Sequence, residues 1–304
     1  MNDIIINTPQ NVYVYNNTIM CESQDIGQHI DFHTQMQLLH KENKKELHNF
    51  FLNAGKQNKA TRVENCGNIL TFKHYRDIGV TKLDNASLCR ERLCLNCNRL
   101  LSRDNAFLLS KVTDGLKLAH IVFSVKNCKG AFLRSTIDNM KKALKYLLRS
   151  IGICNYYQSY EITYNDKTNE YHPHIHLLIL AEDVGFKSRE LNKRWADAFN
   201  RFAGTSFKWL SCKIRYVEDN IKGCFELSKY VTKPQDFNRK TIPVFDEQLK
   251  GLHLHQANGL FKERLKNEKT IQDTEAQKEK EALSHFDYEL LRYIFNGENY
   301  IKCE

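Results

Sequence analysis

The chain has 304 residues, an apolar share of 41% and a formal charge of +9 at neutral pH. That is an ordinary globular composition with enough apolar material for one large domain or two small ones, and the positive balance favours a polyanionic partner, nucleic acid first. No run of eighteen apolar residues appears, which excludes a spanning helix, and the start MNDIIINTPQ has neither the basic region nor the apolar stretch of a signal peptide, so the expected compartment is the cytoplasm. Ten cysteines in a reducing compartment point to metal binding or chemistry where they cluster, not to a disulfide framework.

In chain order, residues 1–35 are polar and weakly patterned, a loose leader. Leu38, Leu39, Leu47, Phe50 and Phe51 are spaced as one stripe and predict a helix over 35–60. Residues 61–110 carry four cysteines and read as a metal-held module. LAHIVFSVKN (118–127) predicts a buried strand, and 133–151 has the period of an amphipathic helix. Two strand-like runs, 155–165 and 171–181, flank the polar DKTNE and predict a hairpin. A helix over 188–202, a strand over 207–217 and a helix over 220–233 that Pro234 stops complete the pattern. From Phe261 onward the chain is charged nearly all round, a solvated helix or flexible tail. The expected organisation is a leader and helix (1–60), a cysteine-rich module (61–110), a main domain (111–263) and a charged helical tail (264–304). The order β, α, β, β, α, β, α suits an α+β fold of the ferredoxin-like kind, an antiparallel sheet with helices packed on one face.

EYHPHIHLLIL (170–180) sets His172, His174 and His176 at alternate positions, so they share one strand face while Ile175, Leu177 and Ile179 share the other. Residues two apart on a strand are about 6.5–7 Å apart, close enough for two imidazoles to lean onto one cation. A hairpin centred near Thr168 and Asn169 puts Glu161 opposite His176 and on the same side. His174, His176 and Glu161 therefore form a two-histidine, one-carboxylate set suited to Mn2+ or Mg2+, with zinc and iron as alternatives. An H-x-H pair arises readily by chance among twelve histidines; His253 and His255 form another, without a carboxylate in register, and read as structural.

Cys66, Cys89, Cys94 and Cys97 follow the spacing C-x22-C-x4-C-x2-C, with Arg90, Arg92 and Arg99 interleaved as candidate DNA contacts. The C-x2-C knuckle grips one tetrahedral Zn2+, and the other two thiolates complete a structural site. In GCFELSKYVTK, Glu226 and Tyr230 are four apart and share a helical face. Tyr230 is free to project toward the metal, whereas its phenol, with a usual pKa of about 10, is a weak nucleophile without a cation or base. Lys229 and Lys233 are candidate phosphate contacts.

HPHIHLLIL, with Glu161 upstream and FELSKYVTK downstream, resembles the HUH endonuclease superfamily and within it the rolling-circle replication initiators of small bacterial plasmids, over roughly residues 62–263. Cys66-Gly67 and CRERLCLNC are similar to that family's cysteine pattern, with Leu95 where the family has proline. Val122 and Ser124 depart from its threonine-rich F-x-T-L-T strand. The resemblance implies that His174 and His176 bind a divalent metal with Glu161 as third ligand. It implies a 5′-phosphotyrosyl link at Tyr230, a 3′-OH that primes the host polymerase, and a role for Glu226 in activating the terminating nucleophile. The implied partners are plasmid origin DNA, double-stranded and as a single-stranded hairpin, with host helicase and polymerase, and no membrane. A single-strand HUH transposase and a zinc-containing, non-enzymatic DNA-binding repressor are the alternatives. The first would show a second tyrosine one turn from Tyr230, where Glu226 stands; the second would bind DNA without divalent metal and form no adduct.

Overall fold

The computed structural model describes residues 26–228 and 236–303, without the side chains of 221, 222, 225 and 226. Three helices open the described chain: α1 (Ile26–Leu39), α2 (Lys41–Asn53) and α3 (Gln57–Glu64). The helix expected over 35–60 is thus divided, with Gly55 in the left-handed region (φ +69°) making the second break. Leu47 and Phe51 of α2 are buried as expected, while Leu38 and Leu39 are exposed, because Met36 and Gln37 take the buried side of α1.

A hairpin of β1 (Ile69–Tyr75) and β2 (Val80–Ala86) follows, then α4 (Leu95–Val112). The next elements are β3 (Leu118–Ser124), α5 (Leu133–Ser150), β4 (Tyr156–Asn165), β5 (Glu170–Leu180), α6 (Ser188–Ala203), β6 (Cys212–Val217) and α7 (Asn220–Ser228). They repeat the strand and helix order read from the sequence. The described chain closes with α8 (Thr241–Gln248), β7 (His255–Asn258), α9 (Leu260–Leu283), β8 (Glu289–Phe295) and β9 (Tyr300–Lys302). None of the described helices is long and apolar enough to cross a membrane.

The strands form two antiparallel sheets, ordered β6-β3-β5-β4-β7 and β2-β1-β8-β9. In the larger sheet β5 is central. Its Ile175, Leu177 and Ile179, with Ile121 and Phe123 of β3, pack into one core with Ile137 and Leu144 of α5, Trp195 of α6 and Phe245 of α8. Trp195 is fully buried, lies 5.0 Å from the Phe123 ring and donates its indole N–H to the Ser124 carbonyl at 2.9 Å, which pins the end of β3.

The expectation that helices pack on one face only is corrected. Leu118, Tyr157 and Leu178 stand at one end of the opposite face, where Leu109 and Val112 of α4, Cys224 and Leu227 of α7 and Phe261 of α9 cover them. Apolar side chains at that end need a lid; burying Leu178 alone contributes about 2 kcal/mol. The polar remainder of the face needs none. Gly223 lets α7 lie close to β6, since a Cβ there would stand 2.8 Å from Val217 Cγ1.

The smaller sheet corrects the reading of 264–304 as a helical tail. After α9 the chain turns back, and the alternation in ELLRYIF puts Leu291 and Tyr293 beside Leu70 and Phe72 in a second core. The cysteine segment is not a separate body either: Cys66, Cys89 and Cys94 belong to the same core as the larger sheet.

Candidate functional site

The face of the larger sheet turned away from α5 and α6 carries His172, His174 and His176 on β5, Glu161 and Thr163 on β4, and His120 and Ser124 on β3. Strand pairing fixes this gathering, because directly paired residues share a face. The register differs from the expected one by two residues: Glu161 pairs with His174, not His176. The hairpin closes at Asn165↔Glu170, so its loop is 166–169. Asn165 Oδ1 accepts from the backbone N–H of Lys167 (3.0 Å) and Thr168 (3.4 Å), and Asn169 takes the left-handed conformation (φ +50°) that asparagine tolerates. A shift of two preserves the face, and Glu161 reaches His176 diagonally.

The contacts form two short lines. His176 Nε2 lies 3.1 Å from Glu161 Oε2, and His176 Nδ1 lies 3.1 Å from His120 Nε2, with the two rings stacked at 5.2 Å and 19°. His174 Nδ1 lies 3.2 Å from Ser124 Oγ. The His174 and His176 ring centroids are 6.4 Å apart, and His172 sits against His174 at 4.1 Å. Burial holds His172 below the ordinary imidazole value, against the pull of a hydrogen bond with the Val125 backbone. The side chains of His176 and Glu161 are 14% and 22% exposed, so the pair is largely desolvated but reachable.

Two donors bound at about 2.1 Å to one cation stand about 3.0 Å apart in octahedral and about 3.4 Å apart in tetrahedral geometry. The 3.1 Å between His176 Nε2 and Glu161 Oε2 fits that requirement. Beside these residues, a cavity of about 600 Å³ starts at His172 and Thr163 and runs along the hairpin loop. On the edge strand β6, Lys213 and Arg215 point to the same face and are exposed.

The four cysteines meet as their spacing predicts. The sulfurs of Cys66, Cys89, Cys94 and Cys97 lie within 4.8 Å of one another, and Cys66–Cys94, Cys66–Cys97 and Cys89–Cys97 are each 3.6 Å. Four thiolates about 2.3 Å from a tetrahedral zinc have edges of about 3.8 Å, so this buried cluster can hold a metal such as zinc. Backbone N–H groups of Cys89 and Arg90 donate to Cys66 Sγ (3.4 Å) and Cys97 Sγ (3.3 Å), and Arg90 takes a positive φ of +57° to do so. From outside the cluster, Lys44 Nζ donates to the Cys66 carbonyl at 3.2 Å.

The arginines divide. Arg90 is exposed and Arg99 half-buried, whereas the Arg92 guanidinium donates to the Leu249 and Leu252 carbonyls and braces the loop after α8. His255, read as structural, accepts or donates at Nδ1 with Tyr157 OH (3.0 Å), and burial pushes it down to about 4. Tyr230, Lys229 and Lys233 lie outside the described residues, as does the Glu226 side chain. The helix that carries Glu226 is described, and its Cys224 and Leu227 pack against Leu178 on the histidine-bearing face. His120, Lys213 and Arg215 had no part in the sequence-based site. The signal available for them was period two: His120 and Ser124 share a strand face, and Lys213 and Arg215 alternate with Cys212 and Ile214.

A buried sulfur cluster that could hold a metal and a half-exposed face of imidazoles and a carboxylate mark this mixed α+β protein with a basic chain. The chain belongs to the replication protein family, whose model matches residues 80–301. It is similar to Protein rep of Streptococcus pneumoniae, 28% identical over 223 residues, covering 66% of this chain and 69% of that one. Protein rep of Bacillus amyloliquefaciens is 23% identical over 287 residues (80% and 84% of the two chains), and Protein rep of Staphylococcus aureus 25% identical over 195 residues (60% and 85%). No solved structure matches it.

Proposed function

We propose that this chain initiates rolling-circle replication of a plasmid by nicking one strand of the double-stranded origin, on a ferredoxin-like sheet of the HUH kind. The observation that carries the reading is that His174, His176 and Glu161 share one face of the central strands, with His176 Nε2 3.1 Å from Glu161 Oε2, and that the helix preceding Tyr230 in sequence packs on the Leu178 end of the same face. His176 Nε2, Glu161 Oε2 and His174 would hold Mn2+ or Mg2+. When bound, that cation polarises the scissile phosphate and offsets the charge developing on its oxygens. Everything else falls to the chain.

Tyr230 supplies the phenol oxygen that forms the new P–O bond while the bond to the 3′-oxygen breaks, leaving a 5′-phosphotyrosyl strand and a 3′-OH primer. Glu226, four positions earlier in sequence, takes the proton of the nucleophile that ends the cycle, so one tyrosine serves both initiation and rejoining. Lys213 and Arg215, with Lys229 and Lys233, contact phosphates on either side of the scissile group, and the cavity beside His172 takes a flanking nucleotide. Arg90 and Arg99 add positive charge near the cysteine cluster, which receives Zn2+ as a structural ion. Origin hairpin DNA, the host helicase and the host polymerase are the partners this cycle requires.

Replacing His176 or His174 by alanine is expected to lower Mn2+-dependent nicking of an origin oligonucleotide by at least about 10³-fold, because several kcal/mol of charge stabilisation go with the ion. Undiminished cleavage by either variant, or by the native protein in excess chelator, would refute the metal role.

A further inference from the structure

We infer that the edge of the larger sheet at Trp209 is a stacking surface for single-stranded DNA, with Lys208, Lys213 and Arg215 holding phosphates beside it. This rests on the reading of the chain as a DNA-nicking initiator and adds the place where the unpaired strand runs off the histidine-bearing face.

Trp209 is 66% exposed, whereas the other tryptophan of the chain, Trp195, is fully buried. Among the described residues the Trp209 ring meets no other ring or cation, and its N–H has no acceptor. Its backbone is nonetheless held on both sides by two asparagines of α6. Asn200 Nδ2 donates to the Phe207 carbonyl at 2.8 Å, and Asn200 Oδ1 accepts from the Phe207 N–H at 3.0 Å. The Asn192 carbonyl accepts from the N–H of Leu210 (3.3 Å) and its Oδ1 from that of Cys212 (2.7 Å), and Leu210 is buried. An indole with two side-chain torsions, carried on clamped backbone, loses little freedom when another ring stacks on it.

Strand pairing ties this residue to the histidines. The Ser124 N–H donates to the Ser211 carbonyl at 3.0 Å, and Ser124 is directly paired with His174. Ser211, Ser124 and His174 thus stand in one row across the sheet, the outer two about 10 Å apart at the usual spacing of neighbouring strands. Because β5 and β6 both run antiparallel to β3, the chain enters β6 from the His172 end of β5, with Trp209 two positions before Ser211. The cavity beside His172 opens at that same end.

Charge decides what fits there. Lys208 adjoins Trp209, and Lys213 and Arg215 follow on the histidine-bearing side of β6; all three are exposed, and none forms an ion pair with another described residue. The next carboxylates along the chain, Glu218 and Asp219, come after the far end of the strand. An aromatic face among such cations matches the base and phosphate of a nucleic-acid strand. A duplex hides its base faces in the stack, whereas every unpaired base offers one, so the indole favours single strand over duplex with little regard to sequence. Tyr216 is 64% exposed on the same strand, but it pairs with the core residue Ala119 and so stands on the opposite side of the sheet.

The test uses the full chain, without added divalent metal, and a labelled oligothymidine that carries no nick site, against a duplex of the same length. Anisotropy of the label reads affinity, and tryptophan emission reads contact, since Trp195 is shielded in the core. Thermal unfolding checks that each variant is folded. Oligothymidine is expected to quench the emission and the duplex to leave it unchanged. Trp209→Ala should bind oligothymidine about 5- to 150-fold more weakly, with duplex affinity unchanged, and Trp209→Phe should stay within about threefold of the native affinity while losing the quenching. Lys213→Ala should lower the slope of log affinity against log salt by about 0.7, and Trp209→Ala should leave that slope as it is. Tyr216→Ala should behave as the native chain. Native-like affinity in Trp209→Ala, an equal loss in Tyr216→Ala, or a matching loss of duplex binding would overturn the surface while leaving the nicking reading standing. Emission that shifts with protein concentration in the absence of DNA would put a second copy of the chain on Trp209 and overturn it as well. A native chain that binds neither oligothymidine nor origin DNA would remove the initiator reading itself, and this inference with it.

Discussion

Tyr230→Phe is expected to abolish nicking of a supercoiled origin plasmid, a loss of more than about 10⁴-fold, while origin binding stays within about twofold. The asymmetry follows from what the hydroxyl does. Phenylalanine keeps the ring and every charge of the chain, so contacts that hold DNA persist. On the proposed mechanism the only atom removed is the one that attacks phosphorus, and a missing nucleophile costs the whole covalent route, about 5.5 kcal/mol or more of barrier. Nucleophile and metal ligands work as one unit, so Tyr230→Phe combined with His176→Ala is expected to be no worse than either alone. Gel separation of nicked from supercoiled plasmid reads the first effect and mobility shift of an origin fragment the second. Residual nicking within tenfold of the native rate would remove Tyr230 from the mechanism.

On the proposed reading of the cysteine cluster as a structural zinc site, chelation is expected to unfold the core around it. Cys66, Cys89 and Cys94 are buried among Leu47, Phe51, Leu93 and Leu95, in the core that also holds the underside of the larger sheet. Structural zinc contributes an apparent binding free energy of about 10–16 kcal/mol, comparable with or larger than the whole stability of a domain, about 5–15 kcal/mol. Four clustered thiols, three of them buried, lack that contribution without an ion and have only weak sulfur hydrogen bonds in its place. Chelation should release about one zinc per chain and lower the melting temperature by more than about 10 °C, since each kcal/mol is worth about 2–4 °C in a chain of this size. Cys97→Ser should do the same in part, because three thiolates remain. A fully reduced, zinc-free protein with an unchanged melting temperature would show the cluster to be an ordinary set of core thiols.

What the sequence made legible follows from which interactions are local. The four-cysteine spacing needs only a knuckle and two further thiols brought near, and those sulfurs do converge. Alternation along β5 separated the histidine face from the Ile175, Leu177 and Ile179 face without any knowledge of partners. The face of Glu161 came out correctly and its exact opposite did not, because pairing depends on a loop held by Asn165, whose side-chain bonds no periodicity reveals. His120 went unassigned for a related reason: its significance arises only when β3 pairs with β5, a contact across more than fifty positions of sequence. The strands β8 and β9 were hidden behind the charged α9, and their apolar alternation acquires meaning only against β1. Helices on both faces could not be inferred from helix periodicity, which tells that a stripe is buried and not which side of a sheet it covers.

The central claim is that the phenol of Tyr230 attacks DNA with the help of a cation held by His174 and His176. It is tested most directly by incubating the purified chain with Mn2+ and a single-stranded oligonucleotide of the origin labelled at its 3′ end, then weighing the intact protein and its peptides. The account predicts one adduct, carrying the 3′-labelled product through a 5′ phosphate on the peptide that contains Tyr230, absent with chelator and absent in His176→Ala. Cleavage that leaves no nucleotide on the protein, or an adduct on any other residue, would contradict it.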